Sequence, residues 1–260
     1  MNKILEKIMA KKRGDLREKK KLLSLEELRG WIKEKRGVGL FYKAITEAIN
    51  DPAVIAEVKF ASPSGGDMGS SRDLLKRVKE YESAGADAIS IITEPHFFKG
   101  SVDFIGKVKE AVVLPVLQKD FVIDEYQIYE SARKGADALL LIARLVNKRA
   151  LEQFVELCLT EGIEPVVEVY SEEDLEKAVE AESRFIAVNS RDLDTLEVDV
   201  KRACALMKKI PDRFLRLGFS GILSRDDVRK YREAGARGVL VGTALMKTEN
   251  IGEFIDKLKK

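Results

Sequence analysis

Three segments of this chain repeat one pattern, and their spacing narrows the fold more than any other feature. They read Tyr81-Glu-Ser-Ala-Gly-Ala-Asp-Ala-Ile-Ser-Ile, Tyr129-Glu-Ser-Ala-Arg-Lys-Gly-Ala-Asp-Ala-Leu-Leu-Leu and Tyr231-Arg-Glu-Ala-Gly-Ala-Arg-Gly-Val-Leu-Val. Each is a helix end, a glycine and an apolar strand, with glycine where a left-handed helix cap tolerates no Cβ. Gly85, Gly135 and Gly235 are separated by 50 and 100 residues. A unit of about 25 residues divides both intervals and has room for one strand, one helix and two loops. Apolar runs recur close to that period, at 53–60, 86–92, 114–118, 136–142, 164–169, 185–188, 214–219 and 238–241. Eight short apolar strands alternating with amphipathic helices predict an α/β fold, a single (β/α)8 TIM barrel. A doubly wound open sheet is the alternative. Ahead of the first strand, Leu22, Leu23, Leu25, Leu28, Trp31 and Ile32 predict an extra helix packed on the barrel. No linker or low-complexity stretch interrupts the 260 residues. One domain is therefore expected over 1–260, with a helical extension over 1–50 and the barrel over 51–260.

Net charge is only +2, so the chain as a whole is not a nucleic-acid binder by charge. Residues 1–36 nevertheless hold thirteen Lys/Arg against six Asp/Glu. That basic arm reads as a solvated amphipathic helix that helps attract an anionic substrate, in preference to an RNA-binding arm. No apolar run reaches membrane-spanning length and no signal-peptide stretch follows Lys3, so no membrane association is expected. Cys158 and Cys204 show neither metal spacing nor a disulfide framework, which fits a reducing cytoplasm.

Strands of a parallel barrel are buried on both faces, so an ionisable group inside one is costly without a partner or a chemical role. Sites in this architecture sit at the C-terminal strand ends. Polar residues recur there: Glu57 and Lys59 after Ile55, Lys119 and Asp120 after Leu117, Glu168 after Val166, Asn189 and Arg191 after Ala187. Alternation puts Glu57 and Lys59 on one face, Lys119 on the face of Leu117 and Glu168 on the face of Val166. With those faces inward, two lysines and two carboxylates converge at the barrel mouth. Buried ion pairs that close the barrel top explain any one of them; the recurrence over four strands favours a site. The last two strands run into Ser220-Gly221-Ile222 and Gly242-Thr243-Ala244. Glycine lets an anion approach backbone N–H groups, and loops after strands 7 and 8 are the usual phosphate site of such a barrel. His96 is the only histidine, which disfavours a Ser-His-Asp triad or a His-rich metal site; it reads as a wall of the site. With no Walker loop or dinucleotide fingerprint, acid–base chemistry by Lys and Glu is expected, without cofactor or metal.

The motifs resemble those of indole-3-glycerol phosphate synthases. They are Ala56-Glu-Val-Lys-Phe-Ala-Ser-Pro-Ser-Gly65, Thr93-Glu-Pro-His-Phe-Phe-Lys-Gly-Ser101, Pro115-Val-Leu-Gln-Lys-Asp-Phe121, Asn189-Ser-Arg-Asp-Leu193, Gly135-Ala-Asp-Ala-Leu-Leu-Leu-Ile and Val241-Gly-Thr-Ala-Leu-Met. The resemblance spans nearly the whole chain. It implies a carboxy-lyase of tryptophan biosynthesis acting on a small phosphorylated substrate, as a monomer or small homo-oligomer. By matching position it implies Lys119 as general acid and Glu168 as acid/base of dehydration. Lys59 is implied to hold the substrate carboxylate, with Glu57 and Asn189 as orienting groups. Ser220, Gly221, Gly242 and Thr243 are implied to hold phosphate, and Ser62, Phe98, Phe121 and Arg191 the rest of the substrate. One departure stands in the presumed site: where the family usually has Glu-Ser-Gly-Ile, this chain has Phe219-Ser-Gly-Ile. Two other readings stay open at this level. One is another phosphate-binding barrel isomerase or lyase. The other is a catalytically silent or engineered barrel that binds a phosphorylated ligand or a partner enzyme.

Overall fold

The computed structural model describes residues 3–30, 37–63 and 65–259; Trp31, Ile32 and Ser64 lie outside the described residues. Eight strands form the sheet: β1 (Ala53–Val58), β2 (Ala88–Ile92), β3 (Val116–Lys119), β4 (Ala138–Ile142), β5 (Glu164–Val169), β6 (Phe185–Asn189), β7 (Leu215–Phe219) and β8 (Ala236–Val241). Each pairs in parallel with the next, and β8 pairs with β1, so the sheet closes. Closure excludes the open-sheet alternative. All eight expected runs are strands, with shifts at their ends. The second and fourth begin two residues late because the chain is still completing helix caps. Gly85 and Gly135 take positive φ, and Ala86 and Ala136 donate back to Tyr81 O and Ser131 O across the turn. The first strand stops at Val58, and the chain enters a small hairpin pairing Ala61–Ser62 with Gly66–Asp67.

The Asp of the repeat has a structural role of its own. Asp87 Oδ2 accepts from Val54 N at 2.7 Å, and Asp137 Oδ2 accepts from Val116 N at 2.7 Å. Each carboxylate thus satisfies a backbone donor at the entry of a neighbouring strand. The third copy carries Arg237 at this position, and there the β7–β8 register shifts between Ala236 and Gly238.

Side chains alternate between two packed layers. Val54, Ile89, Val116, Leu139, Val167, Ile186 and Val239 face the surrounding helices. Ile55, Leu117, Leu140, Val166, Phe185, Leu217 and Leu240 face the barrel interior, and Phe219 with them. Glu57, Lys119, Glu168 and Asn189 stand in register with the inward set.

Three helices precede the barrel: α1 (Lys3–Leu22), α2 (Leu25–Gly30) and α3 (Leu40–Thr46). α3 closes the N-terminal end, with Phe41 edge-on to Phe185 at 5.3 Å between ring centroids. α1 crosses the opposite end and buries Leu5, Ile8, Met9 and Leu16. Within the range expected for an extra helix, 22–32, α2 packs on the barrel through Leu28, and the correction is in number, since α1 and α3 also precede the barrel. Leu22 is exposed, the chain breaks at Leu23, and Ser24 restarts it by capping Glu27 N while Glu27 accepts from Ser24 N. The basic arm is also less solvated than expected. Lys19 pairs with Glu130 at 2.6 Å, Lys20 with Asp124 at 2.7 Å and Arg29 with Glu125 at 2.8 Å. Its excess charge therefore meets acidic groups on one barrel helix and its cap. Among the described residues no helix is long and apolar enough to cross a membrane.

Candidate active site

A cavity of about 550 Å³ opens at the C-terminal ends of the strands, under α1. Every candidate read from the sequence lines it: Glu57, Lys59, Ser62, Phe98, Lys119, Phe121, Glu168, Asn189, Arg191, Phe219, Ser220, Gly221, Gly242 and Thr243. His96 does not, which corrects its reading as a wall. Its Nε2 lies 2.8 Å from Asp15 Oδ2 and ties α1 to the loop after β2.

The charged half of the cavity is built on β1, β3 and β5. Glu57 is buried; its Oε1 accepts from Lys59 Nζ at 2.8 Å, and Lys119 Nζ stands 3.6 Å from Oε2. That second contact is an ion pair too long for a hydrogen bond, so Oε2 has no hydrogen-bond partner among the described residues. Burial pushes the Glu57 carboxyl up, but the charges of Lys59 and Lys119 outweigh it and hold the group below its usual range. Glu168 balances the other way. Burial raises it, Glu57 adds to the rise, and Lys119, a hydrogen bond with Asn189 and the charge of Arg144 only partly offset this. One carboxylate therefore stays ionised beside two ammonium groups, while the other favours its proton. Two carboxyls pushed apart in this way are suited to separate acid and base roles.

Lys119 is held from behind. Asp120, the next residue, accepts from Phe121 N and from Thr93 Oγ1, each at 2.7 Å, and pairs with Lys12 of α1 at 2.7 Å. All three partners of this carboxylate are buried or nearly so. Phe98 is positioned by the four-residue helix Pro95–Phe98, where Glu94 caps the N–H groups of His96, Phe97 and Phe98. The Phe98 and Phe121 rings lie 6.3 Å apart.

The other half is apolar and rich in backbone. Phe219 is fully buried, in register with Leu217 on β7 and paired with Leu240 of β8. Beyond it Ser220 and Gly221 both take left-handed backbone angles, φ 67 and 69. A Cβ on Gly221 would stand 2.6 Å from Val200 Cγ2, and one on Gly242 2.2 Å from Glu57 Oε1. Glycine at 242 is thus what lets the loop after β8 approach the Glu57–Lys59 pair. Tyr231 donates to Phe219 O at 3.2 Å and Ser220 O at 3.1 Å, and its ring fills the space above Gly218.

Several lining residues escaped the sequence reading. Ile4, Leu5 and Ile8 enter from α1, Leu193, Leu196 and Val198 from the loop after β6, and Lys247 from the helix after β8. For the apolar ones the signal was hydrophobic spacing, which looks the same for a cavity wall as for core, and Lys247 carried no signal that set it apart from other helix lysines.

A family model described as indole-3-glycerol phosphate synthase matches residues 5–258. The chain is 40% identical to the indole-3-glycerol phosphate synthase of Acetivibrio thermocellus, covering 98% of this chain and 99% of that one. It is 39% identical to that of Bacillus cereus strain AH820, covering 100% and 99%. Among solved structures, a mutant tryptophan synthase α-subunit from Pyrococcus furiosus shares the fold at 17% identity and TM-score 0.63, over 80% of this chain and 98% of that one. A 3-hexulose-6-phosphate synthase does so at 15% identity and the same TM-score, over the same shares of the two chains. The family match covers almost the whole chain and the curated relatives match end to end: this chain belongs to the indole-3-glycerol phosphate synthase family.

Proposed function

We propose that this protein closes the indole ring of 1-(2-carboxyphenylamino)-1-deoxyribulose 5-phosphate, with loss of CO2 and water, in tryptophan biosynthesis. The observation that carries the reading is the meeting of Lys59, Lys119, Glu57 and Glu168 in one cavity with two glycine loops. The phosphate would rest on backbone N–H groups of the loops after β7 and β8, at Ser220, Gly221, Gly242 and Thr243. The aromatic ring would lie against Phe98 and Phe121, with Ser62, Arg191 and Phe219 completing the pocket. Lys59 would hold the carboxylate of that ring.

Attack of the carboxylate-bearing ring carbon on the sugar carbonyl forms the new C–C bond and drives an electron pair onto the carbonyl oxygen. Lys119 gives that oxygen a proton, so charge is neutralised as it develops. CO2 leaves, and the electrons of the broken C–C bond return to the ring. The new hydroxyl then departs as water, with Glu168 supplying the proton that its burial favours; the Glu168 carboxylate so formed takes a proton from the neighbouring methylene carbon as the second double bond forms, and the ring nitrogen keeps its hydrogen. Glu57 pairs with both lysines and orients them, and Asn189 orients Glu168. We also take residues 1–260 as one catalytic domain, since α1 supplies a wall of the cavity. Incubation of the purified protein with the carboxyphenylamino substrate should produce the fluorescence of the indole product. Folded protein that gives none across its stable temperature range overturns the reading.

A further inference from the structure

The loops after β4, β5 and β6 are joined outside the cavity by two arginines and a tyrosine. Arg144, in the turn after β4, places Nε 3.7 Å from Asp174 Oδ2 and Nη1 3.7 Å from both Asp192 Oδ1 and Asp194 Oδ2. Its guanidinium lies over the Tyr170 ring, 4.7 Å from the centroid. Arg202 lies over the same ring at 3.6 Å. Arg202 also donates from Nη1 to Tyr170 O and from Nη2 to Asn189 O, the latter at 2.6 Å. Tyr170 N donates to Asp174 Oδ2 at 3.1 Å, and the Tyr170 hydroxyl bonds Asp192. None of Arg144, Tyr170 and Arg202 lines the cavity. Yet Tyr170 is two residues beyond Glu168, and Arg202 holds the carbonyl of Asn189 itself.

We infer that Arg144, Tyr170 and Arg202 form a positioning element that fixes Glu168 and Asn189 relative to each other. The inference rests on the function proposed above for its kinetic consequences, while the placement of the charges stands without it. Planar guanidinium groups suit this role, because each stacks on an aromatic face and still aims its N–H fork at carboxylates or carbonyls in fixed directions. A lysine would supply the charge without the fork. The groups whose charge or hydrogen bond acts on Glu168 are Lys119 from β3, Asn189 from β6, Arg144 from the turn after β4 and Glu57 from β1. Lys119 and Glu57 belong to the reacting machinery. Arg144 is the one charge of the set that is removable without touching a lining residue.

The test follows the Glu168 carboxyl directly, by its 13C resonance assigned through loss in Glu168→Gln, in wild type and in Arg144→Met. Arg144→Met should move its titration up by about half a pH unit or more, because a cation that favoured the ionised form is gone. Arg144→Lys should restore the titration. In turnover, Arg144→Met should lower kcat about tenfold with KM within about threefold, and shift the Glu168-dependent limb of the kcat profile to higher pH. Arg144→Lys should recover the pH profile but only part of kcat, and Tyr170→Phe should lose about threefold in kcat. Arg144 is mostly buried but lies at the rim, so Arg144→Gln is the substitute if the Met variant fails to fold. An unchanged Glu168 titration and unchanged kcat, with only thermal stability lowered, overturn the inference. A Glu168 titration that shifts in Arg144→Met, with a wild type that turns over no substrate, supports the arrangement and overturns the function instead.

Discussion

Glu164 and Glu168 lie four residues apart on the inward face of β5, both buried, and burial pushes both carboxyls above their usual range. Their surroundings differ. Glu168, at the mouth, has Lys119, Asn189, Arg144 and Glu57 around it. Glu164, at the closed end, has Arg184 3.6 Å from Oε2, and neither oxygen has a hydrogen-bond partner among the described residues. Burial and a raised pKa are thus common to a candidate acid and to a structural liability, and do not separate them. What separates them is company: loops after several strands deliver charges to the mouth, whereas α3 seals the other end with Phe41 and Ile45. A perturbed carboxyl becomes a site only where differently built strands aim at one volume.

Removing a charge from the mouth should therefore have the largest consequence. Lys119→Met should lower kcat by about 10³-fold, within the range of a lost general acid, while substrate affinity changes less than about tenfold. Steady-state kinetics with a direct binding measurement check it. A variant that keeps more than a tenth of wild-type kcat moves the general acid to Lys59.

The support behind the mouth should cost stability when cut. Lys12 and Asp120 form an ion pair in which both side chains are 8% exposed. Removing one partner leaves an uncompensated buried charge, which costs about 3 kcal/mol. Lys12→Met should show that loss in urea unfolding, together with a lower kcat because Asp120 flanks Lys119. Surface pairs such as Lys21–Glu18 serve as the control, since exposed pairs are worth about 0–1 kcal/mol. Equal losses for Lys12→Met and Lys21→Met would show that α1 does not brace the site.

Phe219 sharpens the contrast from the apolar half. The family pattern puts a carboxylate where this ring is buried between β6 and β8. If the chain has lost an auxiliary carboxylate, Phe219→Glu should raise kcat about tenfold, the equivalent of about 1.4 kcal/mol. A variant no faster than wild type assigns the ring to this protein's own working design.

The barrel was legible because its signals are local and repeated. Glycine caps at Gly85, Gly135 and Gly235 and eight apolar runs each report a backbone state without knowledge of the rest. The lining residues were legible for a related reason, since an ionisable group inside a doubly buried strand has few explanations. What was not legible depends on partners distant in sequence. Nothing near Lys12 points to Asp120, nothing near Arg144 to Tyr170, and His96 could not reveal Asp15. The repeat also misled in detail. The second copy has two extra residues before its glycine, which turns Tyr129 by about 200° around the helix relative to Tyr81. Tyr81 accordingly donates to Glu57 O and Tyr231 to Phe219 O, while Tyr129 packs with Leu16, Leu28 and Arg29 of the N-terminal helices.

The smallest effect is expected at the closed end, and its sign is fixed by linkage. Burial raises the folded-state pKa of Glu164, and Arg184 only partly offsets this. A group whose pKa is raised on folding contributes stability that is fully present below its unfolded pKa of about 4.3 and is lost as pH rises through the folded value. At pH 8, above the unfolded value, the wild type therefore carries a carboxyl whose burial opposes ionisation. Glu164→Gln holds the position permanently neutral at nearly the same volume, at the expense of the attraction to Arg184. Because the rise outweighs that attraction, the variant should be more stable than wild type at pH 8. The gain should shrink toward zero near pH 4, where both side chains are neutral. Urea unfolding at the two pH values reads it, with kcat unchanged because Glu164 lies at the opposite end of the barrel from the cavity. A variant that is less stable at pH 8 than at pH 4, relative to wild type, would mean that the Arg184 pair dominates. The two ends of β5 would then differ less than their surroundings indicate.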